Sequence, residues 1–394
     1  MSESDTKHKL HIDEAFLKGF KSIDDLHIKL NPGLNIIIGP NGSGKSNLLE
    51  FLNDAIYSMF RVLEKTFKAA ELILKSTNSD TIIYQIERTI KNKSKVFDGD
   101  DLFIEPYSQS LLVNNEIAYN NENIRSIPII LSRIRQRFLL PDYIQYSLPK
   151  DLQGIENPIT ITIPFNEAFP EIDYTSDSKF ILHILSRLEV KLSNGIWINI
   201  NENGDTEWVT KIDKNFIISN LHIDNSVIDS LNRFTPIGDL RLNENINIFN
   251  DDKNVIIENL KLEFFVNDHW LPWSQLSDGT KRLFFIISEI AFKTLGTVIL
   301  EEPEIGVHPH QFDLTMQFLL EQSATKQIIM STHSPKALDI LDKNNLHRIF
   351  ITKYEKGKGT TITNLNQKQK EKAAMYMEEV GFLSDYWLLS DLEA

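Results

Sequence analysis

The chain has 394 residues and 41% hydrophobic content, enough for more than one sizeable core. A formal net charge of −14 and a pI near 5.2 argue against a surface that binds nucleic acid throughout, though a local basic patch remains open. Zero cysteines exclude disulfides, thiolate zinc sites and a cysteine nucleophile, while the lack of an apolar run of membrane-span length and the polar start Met1 to Lys9 lead us to expect a cytoplasmic protein with no membrane association.

The chain opens with two strand-like segments, Phe16 to Ile23 and Leu26 to Leu30. The apolar run Leu34, Ile36, Ile37, Ile38 then leads into Gly39-Pro40-Asn41-Gly42-Ser43-Gly44-Lys45-Ser46, and Asn47, Leu48, Leu49, Glu50, Phe51, Leu52 follow. This is the G-x-x-x-x-G-K-S string in a strand–loop–helix context. Its glycines permit backbone angles closed to other residues, so successive N–H groups point inward at phosphate oxygens, and the helix adds its positive end. Lys45 is expected to reach the β- and γ-phosphates and the Ser46 hydroxyl to ligate Mg²⁺. The candidate nucleotide-binding residues here are Gly39, Asn41, Gly42, Ser43, Gly44, Lys45, Ser46 and Asn47.

Spacing of Phe51, Leu52, Ile56, Phe60, Leu63, Phe67 and Leu72 predicts a helix from Asn47 to Ser76. Thr81 to Ile90 alternates like a strand, and polar Lys91 to Asp101 reads as a loop. A helix is expected over Ile124 to Leu140, carrying Arg133, Arg135 and Arg137, with a return strand at Pro141 to Tyr146. The three arginines read as a solvated, ion-paired face or a partner interface, with DNA contact as the rival reading. Residues from about Asn157 to Leu260, rich in Asn, Asp and Ile, mix strand-like Ile159 to Ile163 and Gly195 to Ile200 with helical Phe180 to Leu192, as an inserted lobe would. No internal repeat or long heptad run is present, which disfavours a coiled-coil arm.

Leu276-Ser277-Asp278-Gly279-Thr280 precedes the helical-looking Lys281 to Ile287 and sets Ser277 and Gly279 at a helix start, a second anion-binding N-terminus. Thr297 to Leu300 is an apolar strand ending in the adjacent carboxylates Glu301 and Glu302, and Pro303 stops it. Gln327 to Met330 is another buried strand, running into Ser331-Thr332-His333-Ser334. In-line attack of water on a phosphate needs a metal carboxylate and a neighbour that orients or deprotonates the water, so Glu301 is assigned to the metal and Glu302 to the water. His308-Pro309-His310 lacks a nearby carboxylate or third ligand at a standard metal spacing and reads as a helix start. Lys353 to Lys358 marks a hairpin turn between the last strands.

Together these segments resemble the ABC-type ATPase fold, in the RecF-like and SMC-like branch that includes the overcoming-lysogenisation-defect ATPases. Leu276 to Thr280 looks like the signature motif, Val298 to Glu302 like the Walker B strand, Glu304 to His308 like the D-loop and His333 like the switch histidine. Glu301 follows Ser277 by 24 positions and His333 follows Glu301 by 32, in the family's order. The tail from Val380 to Leu392 looks like the closing segment of stand-alone members. The resemblance implies an α/β fold: an ABC-type P-loop ATPase head, a mixed sheet with flanking helices, carrying an inserted α+β and helical lobe. The expected division is 1–90 for the first half of the core, 91–260 for the variable lobe and 261–394 for the second half.

ATP and Mg²⁺ are the implied cofactors, with Lys45, Glu302 and His333 catalytic and Ser46, Glu301 and the Q-loop candidate Gln145 at the metal; Gln85 is the rival Q-loop residue. In the resembled fold Ser277 and Gly279 close over a partner's ATP. The implied partners are therefore a second copy in a head-to-tail homodimer, or a higher homo-oligomer. Two departures stand out: Glu301 replaces the family's usual Asp, and Asp278 stands where a small residue is commoner. About 60 residues follow His333 and read as a strand pair and helix, so no nuclease domain is expected in this polypeptide. The expected function is that of an ATPase switch in a bacterial anti-phage defence system, controlling a separately encoded nuclease or toxin effector. The alternative is a RecF-like repair ATPase that clamps duplex DNA. The wording of Leu276 to Arg282 and the large mixed insert disfavour a transporter motor.

Overall fold

The computed structural model describes residues 8–58, 68–76, 79–88, 94–98, 101–105, 107–120, 138–139, 159–164, 198–200, 206–208, 225–243, 245–250, 254–291 and 296–390. The chain packs as two compact units, one of Met1–Tyr146, Thr294–Ile305 and Leu319–Ala394, the other of Ser147–Lys293 and Gly306–Phe318. The expected segment 1–90 falls in the first unit. Segment 261–394 is shared: Leu276 to Thr280 belongs to the second unit, whereas Glu301, Glu302 and His333 belong to the first.

In the first unit, β1 (His8–Phe20) and β2 (Ile23–Lys29) form an antiparallel pair, and β3 (Leu34–Ile38) leaves for a different sheet and feeds α1 (Lys45–Ser58). The chain returns beside β1 as β4 (Ala69–Ser76) and β5 (Thr81–Arg88), and makes a separate hairpin of β6 (Ser94–Asp98) and β7 (Asp101–Glu105). It then extends the first sheet with β8 (Tyr107–Val113) and β9 (Glu116–Asn120), while the short β10 (Phe138–Leu139) lies parallel to the start of β1. The expected helix over Asn47 to Ser76 therefore ends early, because Ala70, Leu72 and Leu74 alternate buried with half-buried neighbours and pair as a strand. Leu72 fitted the helical spacing by coincidence. The expected loop at Lys91 to Asp101 contains β6, since its polar residues still pair backbone to backbone with β7. Phe138 and Leu139 are strand rather than helix end; the rest of Ile124 to Leu140, the three arginines, Phe180 to Leu192 and Pro141 to Tyr146 lie outside the described residues.

In the second unit β11 (Ile159–Pro164), β12 (Ile198–Ile200) and β13 (Thr206–Trp208) precede α2 (Asn225–Phe234), β14 (Asp239–Leu242), β15 (Asn247–Asn250), β16 (Asn254–Leu260), β17 (Leu262–Val266), β18 (His269–Pro272) and α3 (Asp278–Ala291). Their sheets run β11-β16-β15, β12-β13 and β14-β17-β18. Helix α3 is apolar nearly all round, with Leu283 to Ile287 fully buried, as a core helix is. Trp273, just before it, packs on Phe264, Phe284 and Phe285 with ring centroids 5.3 to 5.7 Å apart.

The remaining elements are β19 (Thr297–Glu301), α4 (Pro309–Gln322), β20 (Gln327–Thr332), β21 (Ile349–Glu355), β22 (Gly359–Asn364), α5 (Gln367–Glu379) and α6 (Leu383–Leu389). A five-stranded sheet of the first unit runs β19-β20-β3-β21-β22, parallel except for the last strand. Strands β3, β19 and β20 are buried on both faces and read as largely continuous apolar runs, which is how parallel strands look in sequence. Leu48, Leu49, Phe51 and Leu52 of α1 share one core with Leu10, Leu17 and Tyr84 of the antiparallel sheet and Ile37, Ile299 and Ile329 of the parallel one.

A buried side chain of β20 also bridges those two sheets. The buried Gln327 accepts from the Ile12 amide (2.8 Å) and donates to the carbonyls of Ile12 (2.7 Å) and Asn31 (2.8 Å). Its amide thus substitutes for a peptide unit at the place where the register of β1 against β4 shifts, between Ile12 and Glu14. Gln327→Leu would strand these backbone groups and is expected to destabilise the chain by about 3 kcal/mol. Denaturant unfolding checks this, and an unchanged midpoint would show that the bridge carries no stability.

Candidate functional site

The parallel register puts three strand ends at one level: Thr332 pairs with Ile38, and Glu301 with Ser331. The Gly-rich loop after β3, the carboxylates after β19 and the histidine after β20 therefore emerge along one sheet edge, where ligands of α/β folds bind. A cleft of about 220 Å³ opens there, lined by Gly42 to Asn47, His333, Ser22 and Tyr354.

Helix α1 begins at Lys45, two residues before the start that the apolar spacing predicts, with the Leu48 amide bonded to the Gly44 carbonyl at 3.1 Å. Gly42 and Gly44 take φ of 75° and 101°. A Cβ on Gly44 would stand 2.2 Å from Thr360 Oγ1, and one on Gly39 would stand 2.4 Å from the Thr352 carbonyl oxygen, so β21 and β22 leave the loop no room for side chains. Lys45 is nearly buried, and its Nζ donates to the carbonyls of Gly39 (2.8 Å) and Pro40 (3.1 Å) and to His333 Nδ1 (3.0 Å). The other ring nitrogen, Nε2, lies 2.6 Å from Glu302 Oε1. An ammonium on one side and a carboxylate on the other fix the ring tautomer: Nδ1 accepts and Nε2–H donates.

Glu302 has φ of 44°, a left-handed conformation that costs a non-glycine residue about 1 kcal/mol or more. Its amide donates to the Ser331 carbonyl at 3.0 Å, and its carbonyl accepts from Ile305 at 3.2 Å, which holds the turn. Glu301 is the last residue of β19 and is half-buried, and Ser46 is exposed in the cleft. Among the described residues no cluster of three or more His, Asp or Glu side chains is poised for a metal. His308 and His310 are both exposed, and the His310 amide donates to His308 Nδ1 at 3.3 Å.

The second-unit motif is described by itself. Ser277 caps α3: its Oγ accepts from the Thr280 amide at 3.2 Å, and its carbonyl accepts from Lys281 at 2.9 Å. A Cβ on Gly279 would sit 2.9 Å from the Gly306 carbonyl oxygen, so close backbone approach demands glycine there. Asp278 is exposed and lies 3.8 Å from Lys281. Gln145 lies outside the described residues. Gln85 sits on β5, where its amide donates to Glu71 at 2.5 Å and accepts from Ser110 at 3.1 Å, occupied within the antiparallel sheet.

Two contributors escaped the sequence reading, and a third, Glu304, was read there only as the first residue of a D-loop-like stretch. Ser22, in the β1–β2 turn, accepts from Asn47 Nδ2 (2.6 Å), and its hydroxyl meets Thr360 Oγ1 (2.7 Å), which ties that turn and β22 to the loop. Tyr354, on the rim, is 57% exposed. Glu304 accepts from Thr332 Oγ1 (2.7 Å) and from the His333 amide (2.8 Å). No local pattern marks Ser22 or Tyr354; for Glu304, the signal was its place two residues after the paired carboxylates, at the start of the D-loop-like stretch.

This fold and site define a P-loop ATPase head of the RecF/SMC-like, ABC-type class. Residues 34–339 match the family described as "AAA domain, putative AbiEii toxin, Type IV TA system", and the chain belongs to that family. It is 23% identical over 357 residues to an ATP/GTP phosphatase of Helicobacter pylori, covering 84% of this chain and 88% of that one. It is 26% identical over 128 residues to the DNA replication and repair protein RecF of Clostridium botulinum, covering 30% of this chain and 34% of RecF. Among solved structures it resembles an SMC head bound to the C-winged helix domain of ScpA, with a TM-score of 0.51, 15% identity, and 92% of this chain and 99% of that one covered; the likeness concerns the fold.

Gly44→Ala is expected to weaken ATP binding by more than about tenfold, roughly 1.4 kcal/mol, because the added methyl collides with Thr360 and displaces the loop. Titration with a fluorescent ATP analogue reads this; wild-type affinity would show that the loop yields without cost.

Proposed function

We propose that this chain is an ATP-hydrolysing switch that closes head to tail with a second copy around ATP. In this reading it is the sensor or regulator subunit of a bacterial anti-phage defence system, acting in the cytoplasm on a separate nuclease or toxin effector. One observation carries the hydrolytic part: Lys45, His333 and Glu302 form one hydrogen-bonded chain at the mouth of a glycine-lined phosphate loop. The family description, with its toxin and type IV TA system, supports the defence role.

Phosphoryl transfer to water is mostly positioning and charge neutralisation. Entry of the β- and γ-phosphates draws the Lys45 ammonium away from the carbonyls of Gly39 and Pro40. The ring of His333 then loses its bond from Lys45 and turns its Nε2–H toward the γ-phosphate. Glu302, released from the ring, orients the water and takes its proton. The Ser46 hydroxyl and the Glu301 carboxylate are the hard oxygen donors that suit Mg²⁺, which neutralises phosphate charge when bound; Gln145 is the proposed third contact. Ser277 and Gly279, at the N-terminus of α3, meet the partner's ATP. Loss of the γ-phosphate then loosens the pair.

A second reading, a RecF-like clamp on duplex DNA, is favoured by the stretch shared with RecF. Steady-state ATP turnover with and without duplex DNA, at two salt concentrations, separates the two. Slow turnover indifferent to DNA supports the partner-controlled switch, and strong, salt-sensitive stimulation supports the clamp.

Lys45→Ala is expected to abolish nucleotide binding or turnover, and Glu302→Gln to keep binding but slow hydrolysis by about a hundredfold or more and to accumulate the ATP-bound dimer. A normal rate in Glu302→Gln would remove the assignment of the base. Ser277→Arg is expected to block ATP-dependent dimerisation, read by light scattering, while the chain stays folded and loses only the stability of the Ser277 cap, about 1 kcal/mol. Undiminished dimerisation and turnover in that variant would contradict the sandwich.

A further inference from the structure

The switch histidine owes its place to a contact that its own strand does not supply. Turn residues Pro303 to Gly306 follow β19, and from them Glu304 reaches the end of β20. Its Oε1 accepts two hydrogen bonds, from Thr332 Oγ1 at 2.7 Å and from the His333 main-chain amide at 2.8 Å. The same Thr332 Oγ1 accepts from the Ser334 amide at 2.9 Å. One carboxylate oxygen therefore sets the backbone on both sides of His333. The other oxygen, Oε2, is buried and has no hydrogen-bond partner among the described residues. Burying a carboxylate oxygen without a donor is costly, so packing alone does not account for an acidic side chain at this position.

The ring's own contacts are directional. His333 Nδ1 receives Lys45 Nζ at 3.0 Å, and Nε2 faces Glu302 Oε1 at 2.6 Å. Both bonds require the ring plane to lie across the gap between the phosphate loop and the Walker B turn, and a small rotation of the His333 backbone breaks both. Glu302 is tied to the same strand end through its amide bond to Ser331. We propose that Glu304 is the positioning residue of the catalytic histidine: through Thr332 Oγ1 and the His333 amide it holds the imidazole in line between Lys45 and Glu302. This rests on the ATPase reading for its functional consequence, but the geometry it asserts concerns the ligand-free chain.

The test uses the full chain, labelled with ¹⁵N in its histidine rings, as wild type and as Glu304→Ala, Glu304→Gln and Thr332→Val; the His333 signal is assigned by its loss in His333→Ala. Wild type is expected to show one ring nitrogen protonated and the other accepting, as the two contacts dictate. In Glu304→Ala that signature should average toward a freely exchanging ring, and kcat for ATP should fall about tenfold to a hundredfold while KM stays within about threefold, since misplacement of a catalytic group acts on the chemical step. Glu304→Gln keeps an acceptor oxygen for both donors and should recover most of what Glu304→Ala loses. Thr332→Val removes the donor to Glu304 and the acceptor for the Ser334 amide but leaves the bond from the His333 amide to Glu304, and should fall between. An unchanged ring signature and kcat in Glu304→Ala would overturn the assignment, as would a Glu304→Gln no better than Glu304→Ala. If wild type fails to turn over ATP, the proposed function falls, while the ring signature without nucleotide still decides whether Glu304 positions His333.

Discussion

Everything at the site depends on the in-register parallel pairing of β19, β20 and β3. Parallel strands place their carboxyl ends on one side of a sheet, and here Glu301 stands opposite Ser331 and Thr332 opposite Ile38. A shift of one residue would turn every side chain to the other face and separate the histidine from the lysine. The buried apolar faces of these strands, and α1 packed between the parallel and antiparallel sheets, make that shift costly. Gln327 adds directionality that apolar packing lacks, because its amide matches the Ile12 peptide in one register alone.

On that frame the charged groups hold one another. Lys45 is bonded to two loop carbonyls and an imidazole, and the imidazole to the carboxylate of Glu302. A chain of ammonium, imidazole and carboxylate gives each member a hydrogen-bond partner in a partly buried place where an unpaired charge would be expensive. The left-handed backbone of Glu302 belongs to the same arrangement: it turns the carboxylate back toward β20 after a strand whose alternation alone does not set that direction. Strain of this kind persists only where surrounding bonds over-determine it, and the Ser331 carbonyl together with the turn to Ile305 does so.

The segment from Leu276 to Thr280 follows a different logic. Its helix is anchored by an aromatic cluster around Trp273 and capped by its own serine, and Gly279 answers to the nearby Gly306 backbone. A capped N-terminus with an exposed first turn is compatible both with simple packing and with meeting an anion from outside the unit, since both use the same amides. In the proposed dimer the Ser277 hydroxyl would exchange its bond to Thr280 for one to phosphate.

The sequence by itself marked the phosphate loop and the paired carboxylates, because each is a short string whose chemistry depends on neighbours in the chain, whereas His333 stood out only through the resemblance to the ATPase family. It also determined the buried strands at Leu34 to Ile38, Val298 to Leu300 and Ile328 to Met330, because parallel strands covered on both faces leave unbroken apolar runs. It misread Ala69 to Ser76, where Leu72 suits a period of 3.6 as well as a period of 2, and only pairing with β1 and β5 selects the strand. It took polar Lys91 to Asp101 for a loop because backbone pairing leaves no mark in polar side chains. Tertiary structure alone decided that Lys45 meets His333, 288 positions away, that Glu302 adopts a positive φ, and that Ser22 and Glu304 join the site. Those facts depend on sheet order and register, which are set by cooperative packing over the whole core and by no local run of residues.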